Sequence, residues 1–144
     1  MLGTQPWRPK NETAADLAAE LDAAKIISER WKVEVTKLSP VLYGVDWCLS
    51  RDGQVRAFAE FKVRDKRYDT LLLSFAKVHR GLNLAGMGSV RFVVFVRWPD
   101  GLYWVDDLNI DPSRLRIGGN SRGQNGDVEP CVHIDSDAFR KISD

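Results

Sequence analysis

Residues 43 to 63 alternate in hydropathy with a period of two, broken only by the turn signal Arg51-Asp52-Gly53. Before the turn, Tyr43, Val45, Trp47 and Leu49 are large and apolar, whereas Gly44, Asp46, Cys48 and Ser50 are small or polar. After it, Val55, Ala57, Ala59, Phe61 and Val63 form one face, and Gln54, Arg56, Phe58, Glu60, Lys62 and Arg64 form the other. A period of two with an Asp-Gly turn between the runs specifies a β-hairpin with one core face and one polar face. Any fold available to this chain must cover the first face and leave chemistry on the second.

The flanking segments narrow the choice. Ala, Leu, Glu and Lys dominate from about Thr13 to Trp31, which predicts a helix capped by Asn11 or Thr13. At 100° per residue its apolar stripe reads Leu17, Leu21, Ala24, Ile27 and Trp31, and Glu20 falls on that stripe. Val33 and Val35 predict a short strand that Pro40 ends. Leu71, Phe75, Val78 and Leu82 recur at 4-3-4 spacing, predicting a second helix from Tyr68 to about Leu84, stopped by Gly86 and Gly88. Arg91 to Arg97 enclose a continuous apolar run, the mark of a strand buried on both faces in a parallel pairing. Strands at Leu102–Val105 and Val128–Ile134, a Gly/Asn loop over 118–126 and a short helix capped by Ser136 or Asp137 follow. The expectation is one α/β domain over residues 1–144, with a mixed central sheet flanked by helices, a core at about 13–98 and a β-rich extension at about 99–144.

Composition removes several function classes. The 144 residues hold two cysteines and two histidines, too few for a disulfide scaffold or an imidazole zinc site. With 21 basic against 20 acidic residues the chain carries no polybasic arm, although a local basic cleft remains open. The run at 90–98 is interrupted by Arg91 and Arg97 and does not reach membrane-spanning length; with no apolar leader at the N-terminus, the expected location is intracellular, in the cytoplasm. Gly86-Met87-Gly88 lacks the Lys and following helix of a phosphate-binding loop, and no nucleotide or organic cofactor motif is present.

The polar face carries the chemistry. Glu60 and Lys62, two apart on one strand, leave the same face, and Asp46 stands on the paired strand. Two converging carboxylates raise each other's pKa and are most at ease with a cation between them. Carboxylates with a backbone carbonyl suit a hard ion such as Mg²⁺. A nearby Lys could hold an attacking water or stabilise a phosphorane-like transition state. Glu20, on a buried stripe, is a third acidic candidate.

Asp46, thirteen intervening residues and then Glu60-Phe61-Lys62 resemble the bipartite motif of the PD-(D/E)XK nuclease superfamily. The predicted element order is similar to that superfamily's restriction-endonuclease-like αβββαβ core, over roughly Thr13 to Trp98. The resemblance implies a Mg²⁺- or Mn²⁺-dependent nuclease in which Asp46, Glu60 and the Phe61 carbonyl bind metal and Lys62 acts on the nucleophilic water. Glu20 would be the helix-borne acidic residue of Holliday-junction resolvases. Those members are dimers, so a homodimer acting on DNA is implied as well. Val45 stands where the name-giving Pro would be, and Ser74 and Lys77 occupy the region where the VRR-NUC branch carries a Gln.

Arg64, Lys66, Arg67, Lys77 and Arg80 follow the motif and could neutralise phosphates along a cleft; the alternative is a solvated surface. Glu20 could instead pair with a structural Arg or Lys, and Lys62 could merely bridge Glu60. His79 reads as a surface residue and Cys48 as a small filler. Two functions from different classes remain: hydrolysis of DNA phosphodiesters, or a catalytically silent copy of the fold that binds nucleic acid or a protein.

Overall fold

The computed structural model describes residues 13–108, 112–119 and 128–143. Helix α1 (Ala14–Trp31) opens on a reciprocal capping box between Thr13 and Asp16 and closes on Lys32 in the left-handed region at φ 56°. Two of its last carbonyls, those of Trp31 and Lys32, accept from the Arg51 guanidinium, which ties the helix end to the hairpin turn. Strand β1 (Glu34–Lys37) leads into a four-residue helix, α2 (Pro40–Tyr43). The hairpin follows as β2 (Trp47–Arg51) and β3 (Gln54–Val63). Asp52 and Gly53 both have positive φ (53° and 76°), the paired left-handed geometry that the Asp-Gly turn predicts.

Strand β4 (Thr70–Ser74) precedes helix α3 (Phe75–Met87), and β5 (Arg91–Trp98) and β6 (Gly101–Val105) form the next hairpin. Strands β7 (Arg116–Gly119), β8 (Val128–Asp135) and β9 (Arg140–Ser143) complete the chain. The central sheet runs β1-β2-β3-β5-β6-β9, with β3 and β5 parallel and every other neighbour antiparallel. A second sheet, β4-β8-β7, is antiparallel throughout.

Each face of the central sheet has its own core. Ala23 and Ile27 of α1 pack on Trp47, Leu49, Ala57, Ala59, Val93, Phe95 and Leu102. On the other face Val78 and Ala85 of α3, Leu71 and Leu73 of β4, and Val132 and Ile134 of β8 cover Val94, Val96 and Trp98. Strand β5 is buried on both faces and sits beside its parallel partner, as its continuous apolar run requires. The αβββαβ order is present as α1-β1-β2-β3-α3-β5, with β4 inserted ahead of α3. The β-rich C-terminal part adds β6 and β9 to the central sheet and clasps β4 with β8.

Four expectations are corrected. The second helix does not begin at Tyr68: residues 70–74 are strand β4, and Ser74 caps a helix that starts at Phe75 and reaches Met87. Leu71 fits the helical stripe by spacing, yet it is buried because β8 pairs with its strand. The first hairpin strand starts at Trp47 and not at Tyr43, which ends α2 and is half exposed. On α1, Leu21 is 73% exposed, and the buried positions are Ala23 and Ile27. The chain closes on strand β9 after a single 3₁₀ turn at Ser136–Ala138, so the expected terminal helix is absent. Gly118 and Gly119 belong to β7, and the rest of the Gly/Asn loop lies outside the described residues.

Helix α3 approaches β5 so closely that a Cβ at Gly81 would lie 2.3 Å from the Phe92 ring, while a Cβ at Gly86 would meet nothing within 4 Å. Gly81→Ala should therefore lose about 1–3 kcal/mol of unfolding free energy. Gly86→Ala should gain about 0.4–1 kcal/mol by restricting the unfolded chain. Urea denaturation of the two variants checks the opposite signs; a Gly81→Ala protein as stable as the wild type would contradict the close approach.

Candidate active site

The site forms where the β2–β3 ladder runs out. The last cross-strand partner pair is Trp47 with Ala59, and Asp46, just before β2, extends it by donating its N–H to the Ala59 carbonyl at 3.1 Å. The Phe61 N–H then has no strand opposite it, and Asp46 Oδ2 accepts it at 2.9 Å. The carboxylate is thus fixed beside β3 by the backbone whose ladder it completes. Its own carbonyl accepts from Leu38 N at 2.8 Å, which locks the residue from the β1 side too.

On β3 the odd residues Ala57, Ala59 and Phe61 face α1, so the even residues Glu60 and Lys62 face α3. Glu60 is 2% exposed, and its Oε2 is buried with no hydrogen-bond donor among the described residues. Lys62 Nζ approaches that oxygen only to 3.7 Å, an ion pair without a hydrogen bond. Burial first, and the neighbouring Asp46 second, push the Glu60 carboxyl up to about 7, against the opposing pull of Lys62 and Lys77. Burial likewise lowers the Lys62 ammonium, although Glu60 resists the shift. Burial thus disfavours the charged form of both groups.

This donor set fits a hard divalent cation. A buried carboxylate oxygen without a donor, a second carboxylate close enough to raise its pKa and a carbonyl on the intervening strand residue are the oxygens such an ion takes. Among the described residues no group of three or more His, Cys, Asp or Glu side chains is placed to hold a metal. Any protein ligands here would be Asp46, Glu60 and the Phe61 carbonyl.

Glu20 stands on the other face of the sheet. Its Oε1 accepts from Trp47 Nε1 at 2.9 Å and its Oε2 from Lys37 Nζ at 3.3 Å. It therefore touches the residue next to Asp46 without joining the Asp46–Glu60 group. The structural-lysine alternative has a concrete partner in Lys37. Sequence reasoning missed the Trp47 bond, for which the helical position of Glu20 on the inner stripe was the only signal.

The five basic candidates separate. Lys77, on the first turn of α3, is close enough for its charge to act on both Glu60 and Lys62. Arg80, one turn on, lays its side-chain stem against Gly44, where a Cβ would lie 2.7 Å from Arg80 Cδ. Arg64 at the end of β3 is half-buried and donates to the Val63 carbonyl. Lys66 is exposed in the following connection. Arg67 is held for packing: its guanidinium lies 4.5 Å from the Trp98 ring centroid and 4.7 Å from that of Tyr103, and donates to the Ser136 carbonyl. His79 is exposed and stacked on Phe75. Cys48 and Cys131 are free, and burial raises both thiols, which suits fillers and not nucleophiles.

A cavity of about 830 Å³ lies elsewhere, on the α1 face, lined by Trp31, Leu49, Val55, Val93 and Trp104 among others. It begins at Ala57 and Arg91, the start of the β3–β5 pairing, while Glu60 and Lys62 lie toward its end. No helix among the described residues is long and apolar enough to cross a membrane.

A family model described as "Phage putative PDDEXK endonuclease" matches residues 6–142. Among solved structures the chain is similar to Hjc, a Holliday junction resolvase from the archaeal hyperthermophile Archaeoglobus fulgidus. The identity is 15% with a TM-score of 0.52, and the match covers 82% of this chain and 94% of that one. At that identity the likeness establishes the fold, a mixed α/β architecture with a mixed central sheet and two helices. No curated protein matches the chain.

The raised Glu60 value has a consequence for stability. Between an ordinary value near 4.5 and about 7 the folded chain holds a proton that the unfolded chain has released. The stabilisation is complete below pH 4.5 and is lost as pH rises through 7 in metal-stripped protein. Glu60→Gln, neutral throughout, should remove that slope and melt several degrees above the wild type at pH 8 in chelator. Melting temperatures from pH 4.5 to 8 measure it; a variant that melts lower than the wild type at pH 8 would make Glu60 a structural ion-pair partner.

Proposed function

The chain belongs to the phage PDDEXK endonuclease family, and on that premise we propose that it is a Mg²⁺- or Mn²⁺-dependent nuclease that hydrolyses DNA phosphodiester bonds, with a preference for a DNA structure such as a branch. The observation that carries the reading is the buried Glu60 oxygen without a donor, with Asp46 and Lys62 beside it. Among the described residues nothing compensates that oxygen fully, and a divalent ion held by Asp46, Glu60 and the Phe61 carbonyl would do so.

Bound there, the metal would supply Lewis-acid polarisation of a phosphate oxygen and a water of lowered pKa. The protein's own groups do the rest. Lys62, with its ammonium pKa lowered by burial, orients the attacking water, and in its neutral amine form it can take that water's proton at Nζ to become the ammonium. Glu60 fixes Lys62 from 3.7 Å. Asp46 is immobilised by the Phe61 N–H, so the two carboxylates need no rearrangement as the reaction proceeds. Lys77 and Arg80, one turn apart on α3, with Arg64 and Lys66 beyond β3, supply the positive charge that an incoming phosphate backbone requires. Glu20 acts through Trp47, as a positioning residue behind Asp46. Two copies of the chain related by a two-fold axis would present two such sites to the two strands of a branch.

Incubation with supercoiled, linear and branched DNA, with and without Mn²⁺, tests the activity. Metal-dependent cleavage of at least one substrate is expected, and none on any of the three would favour a non-catalytic binding module. Lys62→Ala should lower cleavage by about 10²–10⁴-fold while the Mn²⁺-induced rise in melting temperature persists. Asp46→Ala should lose both. A Lys62→Ala protein that still cleaves at the wild-type rate would remove Lys62 from the chemistry.

A further inference from the structure

Helix α2 presents Leu42 and Tyr43 outward. Leu42 is 77% exposed and Tyr43 50%, whereas Val45 two residues on is fully buried. The two side chains ride on a braced segment. Ser39 receives the Tyr43 N–H at its carbonyl, at 2.9 Å, and the Leu42 N–H at its hydroxyl, at 3.4 Å. The Leu38 N–H to Asp46 carbonyl bond closes the loop around them. Gly44 takes φ 76°, and the Arg80 stem fills the space where its side chain would be. Exposed apolar residues on a mobile loop need no explanation, but here a turn is fixed so that a leucine and a tyrosine face solvent.

We propose that Leu42 and Tyr43 form a platform on which an unpaired DNA base stacks beside the phosphate to be cleaved. The inference rests on the nuclease reading and names the substrate feature that the site selects. The backbones of Tyr43 and Asp46 are three residues apart, at most about 10 Å, so a base on the platform belongs to a nucleotide within a step or two of the one at the carboxylates. Arg80 packs at Gly44 between them, and Lys77 lies one turn back on α3, so cationic groups flank the apolar surface. A protein partner would cover the apolar pair equally well but would gain little from that adjoining positive charge. A nucleotide has both parts: a flat face for Tyr43 and Leu42, and a phosphate for Arg80. A paired base keeps its face inside the duplex and cannot use the platform.

The test compares two DNA oligonucleotides of equal length: a flapped one with 2-aminopurine at the first unpaired position, and its fully paired duplex. Binding is measured in metal-free buffer, so that it does not depend on turnover. Wild-type protein should bind the flapped DNA more tightly and change the 2-aminopurine fluorescence. The Leu42→Ala/Tyr43→Ala variant should bind that DNA about tenfold more weakly, with duplex affinity unchanged, and Tyr43→Trp should retain the preference. Equal losses on both DNAs, no loss on either, or a wild-type protein that binds neither would overturn the proposal. So would light scattering in which the double variant has half the wild-type mass, since the pair would then bury against a second copy. Failure of the nuclease reading has a different signature, an absence of Mn²⁺-dependent cleavage on every substrate while the binding preference persists.

Discussion

Glu60 is an acid buried on the α3 side of the central sheet, and the rest of the site is arranged around the cost of keeping it there. Its strand pairs with β2 on one side and β5 on the other, and α3 lies over it, so its side chain cannot turn to solvent without unmaking the sheet. Protonation, the Lys62 ion pair and a cation are the three ways to relieve it. The first accounts for a carboxyl shifted up to about 7. The second is incomplete at 3.7 Å. The third would turn a liability of the fold into a binding site beside Asp46, whose carboxylate is fixed by a backbone N–H.

The two faces of the central sheet divide the work. On the α1 side, Trp47 stacks on Phe61 with ring centroids 5.0 Å apart, and Glu20 holds the indole N–H. Both aromatic residues neighbour a site residue in the chain, Trp47 following Asp46 and Phe61 lying between Glu60 and Lys62. Packing on the dry face therefore sets where carboxylates and ammonium emerge on the other. The α3 side brings positive charge, because the helix is drawn onto β5 at Gly81 and its first turn carries Lys77 toward Glu60. Membership of the phage PDDEXK endonuclease family and the likeness to an archaeal resolvase fold agree with a scaffold of this kind.

What was legible in the sequence was local and periodic. The hairpin, its Asp-Gly turn and the buried parallel strand were readable from alternation and continuous apolar runs, but the alternation predicted one polar face where the structure covers both, with Val45 and Phe58 packed on the α3 side. The Asp46, Glu60 and Lys62 constellation followed from the same alternation. The misreadings arose where tertiary pairing overrides spacing. Leu71 lies on a helical stripe by arithmetic, but pairing with β8, some sixty residues away, makes its segment a strand. Leu21 fits the α1 stripe equally well, yet the helix rolls so that Ala23 and Ile27 meet the sheet. For Arg67, nothing local announces the Trp98 and Tyr103 rings on which its guanidinium packs.

A cation at the Asp46–Glu60 pair is what the proposed chemistry requires first, and anomalous diffraction from crystals grown with Mn²⁺ would locate it directly. The expected result is an anomalous peak within ligand distance of one oxygen of Asp46, one of Glu60 and the Phe61 carbonyl. A protein without a peak at that pair under saturating Mn²⁺, or with the ion at Glu20 on the opposite face, would contradict it.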